Sequence, residues 1–74
     1  MNMTNKEKTW LDSVYDKAIT EQHEIAAGLR EAATRFRSDE YKCESCALSC
    51  EQEAAEREAF ADRLEELKDN VRFL

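Results

Sequence analysis

The sequence predicts an all-α fold, in which two helices form an antiparallel hairpin and two hairpins pair as a dimer into a four-helix bundle. Three observations predict it. The 74 residues include no proline and one glycine, which leaves little material for the turns of a β-rich fold. Charged residues make up 38% of the chain, a composition typical of long helices. Apolar residues recur at steps of three, four or seven, without the alternation of a strand.

The first predicted helix covers about residues 4–37. It begins at a capping box, in which Thr4 caps the first turn and Glu7 reaches back to it. Its apolar stripe continues as far as Phe36, with one interruption at Gln22. A helix is therefore predicted along the whole segment, and its middle is expected to pack less well than its ends.

A turn over about residues 38–42 is predicted to lead into a second helix over about residues 43–73, the two helices and the turn making one domain over residues 1–74. Ser38 is one candidate cap for that helix, and Ser49 is another, so residues 39–49 are predicted as either helix or loop. Toward the end of the chain the apolar residues follow heptad spacing. They are Phe60, Leu64, Leu67, Val71 and Leu74.

The small size of the chain predicts a partner. Chains below about 70–80 residues rarely bury enough apolar surface to be stable alone, and three cysteines cannot all pair within one chain. We therefore expect a homodimer. The residues predicted to hold both the hairpin and the dimer are Leu11, Val14, Ile25, Leu29, Phe36, Leu64, Leu67 and Val71.

The charge is acidic and unevenly distributed. Eleven Lys and Arg residues against seventeen Asp and Glu give a net charge of -6, and residues 38–74 carry all of that excess. This balance argues against direct nucleic-acid binding. The common interpretation is a solvated helix face. The more specific interpretation is a surface that binds a protein partner. A weaker alternative is that the acidic surface imitates DNA. That predicted acidic face comprises Glu51, Glu53, Glu56, Glu58, Asp62, Glu65, Glu66 and Asp69.

Three cysteines form the one cluster of residues that could carry a chemical function, in the pattern C-x2-C-x3-C. On a helix Cys43, Cys46 and Cys50 share one arc with the apolar stripe, which favours reduced cysteines packed as small apolar residues. The alternative is a zinc or iron–sulfur site with these three thiolates as ligands. A fourth ligand is hard to find, because His23 is expected some 15 Å along the hairpin.

A thiol redox role is the weakest of the three hypotheses for this cluster. A reactive thiol needs surroundings that stabilise its thiolate. The nearby acidic residues Glu40, Glu44 and Glu51 oppose that, and only Lys42 favours it.

The sequence predicts an interaction protein without enzymatic activity. One histidine, no glycine-rich phosphate loop and little concave surface provide no catalytic set. No segment is apolar enough to span a membrane and no leader pattern opens the chain, so a cytoplasmic protein is expected. No cofactor is expected, with zinc at the cysteines as the alternative. Short acidic helical chains of this type are typical of bacterial and phage accessory proteins. We expect a regulator or inhibitor that binds another protein.

Overall fold

The chain forms an antiparallel helical hairpin in a computed structural model that describes residues 4–72. Helix α1 spans Asn5–Phe36 and helix α2 spans Glu44–Arg72, with a short connection between them. The predicted all-α hairpin is confirmed, whereas its pairing into a four-helix bundle stays a prediction. The hairpin is a thin rod, with principal extents of 57 × 15 × 11 Å. The predicted end of the second helix at residue 73 lies outside the described residues.

Helix α1 begins at the predicted cap. The Thr4 side chain accepts a hydrogen bond from the Glu7 N–H at 3.2 Å, which satisfies one of the donors that a helix start leaves without an intrahelical partner. At the other end Ser38 has a role that the sequence analysis did not predict. Its hydroxyl donates to the Arg35 carbonyl oxygen at 2.6 Å, so Ser38 closes the end of α1.

The predicted caps of the second helix are wrong, because neither Ser38 nor Ser49 starts α2. The chain reverses through Lys42, which has a left-handed φ of 47°, and the Cys43 N–H then donates to the Phe36 carbonyl oxygen at 2.7 Å. Cys43 occupies the cap position. Its sulfur accepts a hydrogen bond from the Cys46 N–H at 3.3 Å, and its carbonyl oxygen accepts from the Ala47 N–H.

Small side chains line the contact between the two helices. Ile19, Ala26 and Ala33 lie seven residues apart on α1, as Ala47, Ala54 and Ala61 do on α2. We call these six residues the alanine seam. All five alanines are at most 2% exposed, and Ile19 is 8% exposed. Interaxial distances of about 8–10 Å depend on the side chains at the contact, and small ones bring the helices closest.

The alanine seam displaces the larger apolar residues to its edges. Of the eight residues predicted to hold both the hairpin and the dimer, only Val71 is buried. Leu11, Leu29, Phe36 and Leu64 are half-buried, and Val14, Ile25 and Leu67 are exposed. Alanine is a good helix former but contributes little apolar area, so its seven-residue repeat was obscured by the larger residues in the pattern.

We predict that Ala54→Leu destabilises the hairpin by about 1–3 kcal/mol, because three extra carbon atoms at a fully buried contact force the helices apart. Urea denaturation followed by circular dichroism measures the change in unfolding free energy.

The adjacent Ala55→Leu is the matched control, because Ala55 is exposed. Its unfolding free energy should stay within about 0.5 kcal/mol of the parent. Equal destabilisation by both substitutions would contradict the close contact at the alanine seam.

Candidate functional site

Charged side chains cross from helix to helix along one side of the alanine seam. Most of them lie four residues after or three residues before a seam residue, which places them on the same side. Arg30 binds Glu58 through two hydrogen bonds of 2.6 and 2.8 Å. Arg37 pairs with both Glu44 and Glu51. A further ion pair joins Lys68 to Asp16 nearer the open end of the hairpin.

These pairs shift the protonation of their members toward the charged forms. Hydrogen bonding to Arg37 holds the pKa of Glu44 below its usual value of 4.5. Hydrogen bonding to Arg30 is likewise the main cause that lowers the pKa of Glu58, and desolvation opposes it to a smaller extent. The charges of Arg30 and His23 lower the same pKa further. All four side chains are at least 40% exposed, so solvent screening keeps the individual contributions to stability small.

The opposite side of the alanine seam carries the large apolar side chains of both helices. They lie three residues after or one residue before a position of the seven-residue repeat of the seam, continued to residues 12 and 68. We call this set the open face. It comprises Leu11, Tyr15, Ile25, Leu29 and Phe36 of α1 with Phe60, Leu64 and Leu67 of α2, all of them half-buried or exposed. Cys46 and Cys50 follow the same register at the end near the connection.

A polar cluster interrupts the open face halfway along the hairpin. The Arg57 guanidinium donates to the Gln22 side-chain oxygen of the other helix at 3.4 Å and to Glu53 of its own helix at 3.3 Å. This contact confirms that residues three after a seam position share one side. The face therefore has two apolar ends and a polar centre that carries both a positive and a negative charge.

The predicted acidic face is divided by the structure. Glu51 and Glu58 turn toward α1 and pair with arginines, and Glu53 pairs with Arg57. Glu56, Asp62, Glu65 and Glu66 are exposed and form no ion pair with the described residues. Asp69 is exposed and engaged in an interaction.

The cysteines differ from the expected packing of three reduced side chains. Cys43 and Cys46 are joined by a disulfide bond, and Cys50 is free. All three are half-buried, so none has the burial of a core residue. The C-x2-C spacing permits the bond because Cys43 stands just before the helix, where its sulfur faces the first turn.

In this oxidised form the sulfur atoms of Cys43 and Cys46 are bonded to each other, and neither is a thiolate ligand for a metal. Among the described residues no group of three or more His, Cys, Asp or Glu side chains is arranged to hold a metal ion. His23 lies on the charged side of the hairpin and acts on Glu58 by its charge, away from the cysteines. A metal site in the reduced form stays a prediction.

Two aromatic side chains lie next to the cysteine pair and were not predicted as part of a site. Phe36 and Tyr41 contact each other edge to face, with ring centroids 6.0 Å apart. Together with Ala32 and Arg35 they line a cleft of about 250 Å³. Tyr41 is 57% exposed. The sequence signal was a large aromatic residue in the predicted turn, two residues before Cys43.

Comparison of the chain with protein-family models, with curated proteins and with solved structures gives no match. Within residues 4–72, neither helix is long and apolar enough to cross a membrane. The features of the described residues that bear on function are the open face, the charged surfaces and the cysteine pair.

We predict that acid weakens the hairpin through Glu44 and Glu58. Because their pKa values are lower folded than unfolded, the stabilisation is complete above about pH 4.5 and is lost as the pH falls through the folded values. The melting temperature of the Glu44→Gln, Glu58→Gln double variant should therefore fall less below pH 4.5 than that of the parent.

The control for this experiment is Glu66→Gln, which removes an exposed carboxylate outside the ion pairs and should keep the acid dependence of the parent. Sodium chloride at 0.5 M should narrow the difference between parent and double variant, because it screens exposed charges. Superimposable pH profiles at low salt would contradict a stabilising role for the two arginine pairs.

Proposed function

We propose that this protein acts by protein–protein association, and that its open face binds the open face of a second copy to form a four-helix bundle. The observation that supports the proposal most directly is the set of large apolar side chains left on one side of the alanine seam. Contiguous apolar patches on a small protein are typical of interaction sites. The role of the assembled protein is that of a regulator or inhibitor without catalysis.

The surface of the single hairpin is larger than its mass requires. Its accessible surface is 5719 Å², whereas a compact monomer of 8.6 kDa has about 4,700 Å². The radius of gyration is 17.0 Å, against about 11 Å for a compact chain of this length. The excess of about 1,000 Å² is comparable to the 800 Å² or so that each partner buries in a stable interface.

The polar centre of the open face favours a second copy as the occupant. A two-fold interface brings the same patch of both chains together, so each patch must complement itself. Arg57 and Glu53 supply opposite charges at the middle of the face, where the axis would pass. In the dimer each Arg57 can therefore pair with Glu53 of either chain, and the apolar ends cover one another.

The outer surface of α2 is the second contact surface in the proposal, and it would bind a basic segment of another protein. The exposed carboxylates of Glu56, Asp62, Glu65 and Glu66 support it, since their charge is not neutralised by an ion pair with described residues. The dimer leaves this surface outside the bundle. Carboxylates steer association with a basic partner and make the binding sensitive to salt.

We predict that Leu67→Ser weakens the homodimer by at least about tenfold in Kd, because the loss of apolar contact counts twice in a symmetric interface. Sedimentation velocity over a range of protein concentrations measures the equilibrium. Parent protein should sediment as a dimer, and the variant should dissociate at concentrations where the parent does not.

The matched control is Leu48→Ser on the same helix. Leu48 is 55% exposed and Leu67 is 48% exposed, so the two substitutions remove similar amounts of exposed apolar surface. Leu48 follows a seam position by one residue and lies off the open face, so its variant should dimerise like the parent. A monomeric parent, or equal weakening by both variants, would contradict the proposed interface.

For the acidic surface we predict that lysine at Glu56, Asp62 and Glu66 abolishes capture of the protein partner, while helicity by circular dichroism and dimerisation stay as in the parent. The readout is recovery of one defined partner by the immobilised parent and by the variant at two salt concentrations. Unchanged capture by the variant would rule out the acidic surface as the binding site.

A further inference from the structure

The disulfide between Cys43 and Cys46 lies in a setting suited to thiol chemistry. Cys43 stands before the first residue of α2, fixed by the hydrogen bond from its N–H to the Phe36 carbonyl oxygen at 2.7 Å. Its sulfur accepts from the Cys46 N–H at 3.3 Å. The bonded pair therefore spans the cap and the first turn of a 29-residue helix.

The bond contributes little as a cross-link. A disulfide restricts the unfolded chain more as the loop that it closes becomes longer, and here only two residues lie between the cysteines. It also joins α2 to its own cap and does not join the two helices, which the alanine seam already holds together. Stability alone therefore gives a weak reason for this pair.

The surroundings of Cys43 favour its thiolate when the bond is reduced. The N–H groups of a helix start stabilise a negative charge, and thiolates at that position are the reactive form of cysteine. Two of the three acidic neighbours that argue against reactivity form ion pairs in the structure, whereas Glu40 is exposed. The Arg37 guanidinium binds the carboxylates of both Glu44 and Glu51.

We propose that Cys43 and Cys46 are an exchange-active dithiol pair whose substrate is a disulfide. The Cys43 thiolate attacks one sulfur of the substrate, a mixed disulfide forms, and the other substrate sulfur leaves as a thiolate that takes up a proton. Cys46 then loses its proton and attacks the Cys43 sulfur, which releases the second substrate thiol. Two electrons and two protons pass to the substrate, and Cys43 and Cys46 end as the observed disulfide.

The cleft near the cysteine pair indicates which kind of disulfide is the better substrate. Phe36 and Tyr41 offer an apolar, partly exposed surface. It lies near Cys43, because the Cys43 N–H donates to the Phe36 carbonyl oxygen and Tyr41 precedes Cys43 by two residues. Glutathione disulfide and a cystine-containing peptide share the reactive bond, but only a peptide with apolar flanking residues gains contacts with this surface. The peptide is therefore the better substrate.

The first test traps the mixed disulfide. With glutathione disulfide as probe at pH 7, reduced Cys46→Ser, Cys50→Ser protein should accumulate a mixed disulfide at Cys43, read by mass spectrometry. The rate should exceed by at least about tenfold that of Cys50 in the Cys43→Ser, Cys46→Ser protein. The parent should pass through the adduct and finish as the Cys43–Cys46 disulfide.

Circular dichroism of every variant shows whether the hairpin is retained. If a substitution unfolds it, competitive alkylation of the reduced parent by iodoacetamide replaces the variants, with the three cysteines resolved by peptide mass spectrometry. Cys43 should then be labelled at least about tenfold faster than Cys50. Equal rates in either experiment, or a parent that retains a stable glutathione adduct, would overturn the proposal.

The second test separates the two substrate sources through Tyr41→Ser. This substitution should slow exchange with a cystine peptide flanked by leucine residues and leave exchange with glutathione disulfide unchanged. Equal slowing with both probes would show that Tyr41 acts on the cysteine pair itself, which overturns the docking role of the cleft. No slowing with either probe would overturn that role as well.

Discussion

The close packing of small side chains along the alanine seam determines the rest of this hairpin. Ala26, Ala33, Ala47, Ala54 and Ala61 have almost no exposed surface, because each lies on the side of its helix that packs against the other helix. A contact of that kind has no room for the larger apolar residues. The larger apolar residues therefore lie at one edge of the helix pair, and the charged residues lie at the other.

The two edges make different contributions. Ion pairs between exposed side chains are worth little individually, so the charged edge sets register and orientation more than stability. Arg30 meets Glu58 and Arg37 meets Glu51 only when α2 runs antiparallel to α1 in the observed alignment. The apolar edge carries the larger potential gain of free energy, but a single hairpin cannot bury it. The two helices are thus aligned within the single hairpin, but large apolar side chains stay exposed at its apolar edge.

Much of the fold could be predicted from helical periodicity and end signals. The cap at Thr4 and the lack of strand patterns led to two helices, and the structure confirms the hairpin. The inner contact could not be predicted, because a stripe that contains Leu29 and Leu64 conceals an alanine repeat beside it. The start of α2 was also missed. Its cap is a cysteine sulfur, whereas cap preferences direct attention to serine hydroxyls such as Ser38.

The dimer proposal and the redox proposal meet at the same end of the hairpin, where Phe36 belongs both to the open face and to the cleft that it lines with Tyr41. Cys46 and Cys50 follow the register of the open face, so a second hairpin on that face approaches their side of α2. Cys43 instead belongs to the connection, outside the helix and beside Tyr41. Its sulfur is nevertheless bonded to that of Cys46, so a hairpin packed over this end of the face would approach both sulfur atoms. Docking of a peptide at the cleft and packing of a second hairpin over this end of the face therefore compete for Phe36.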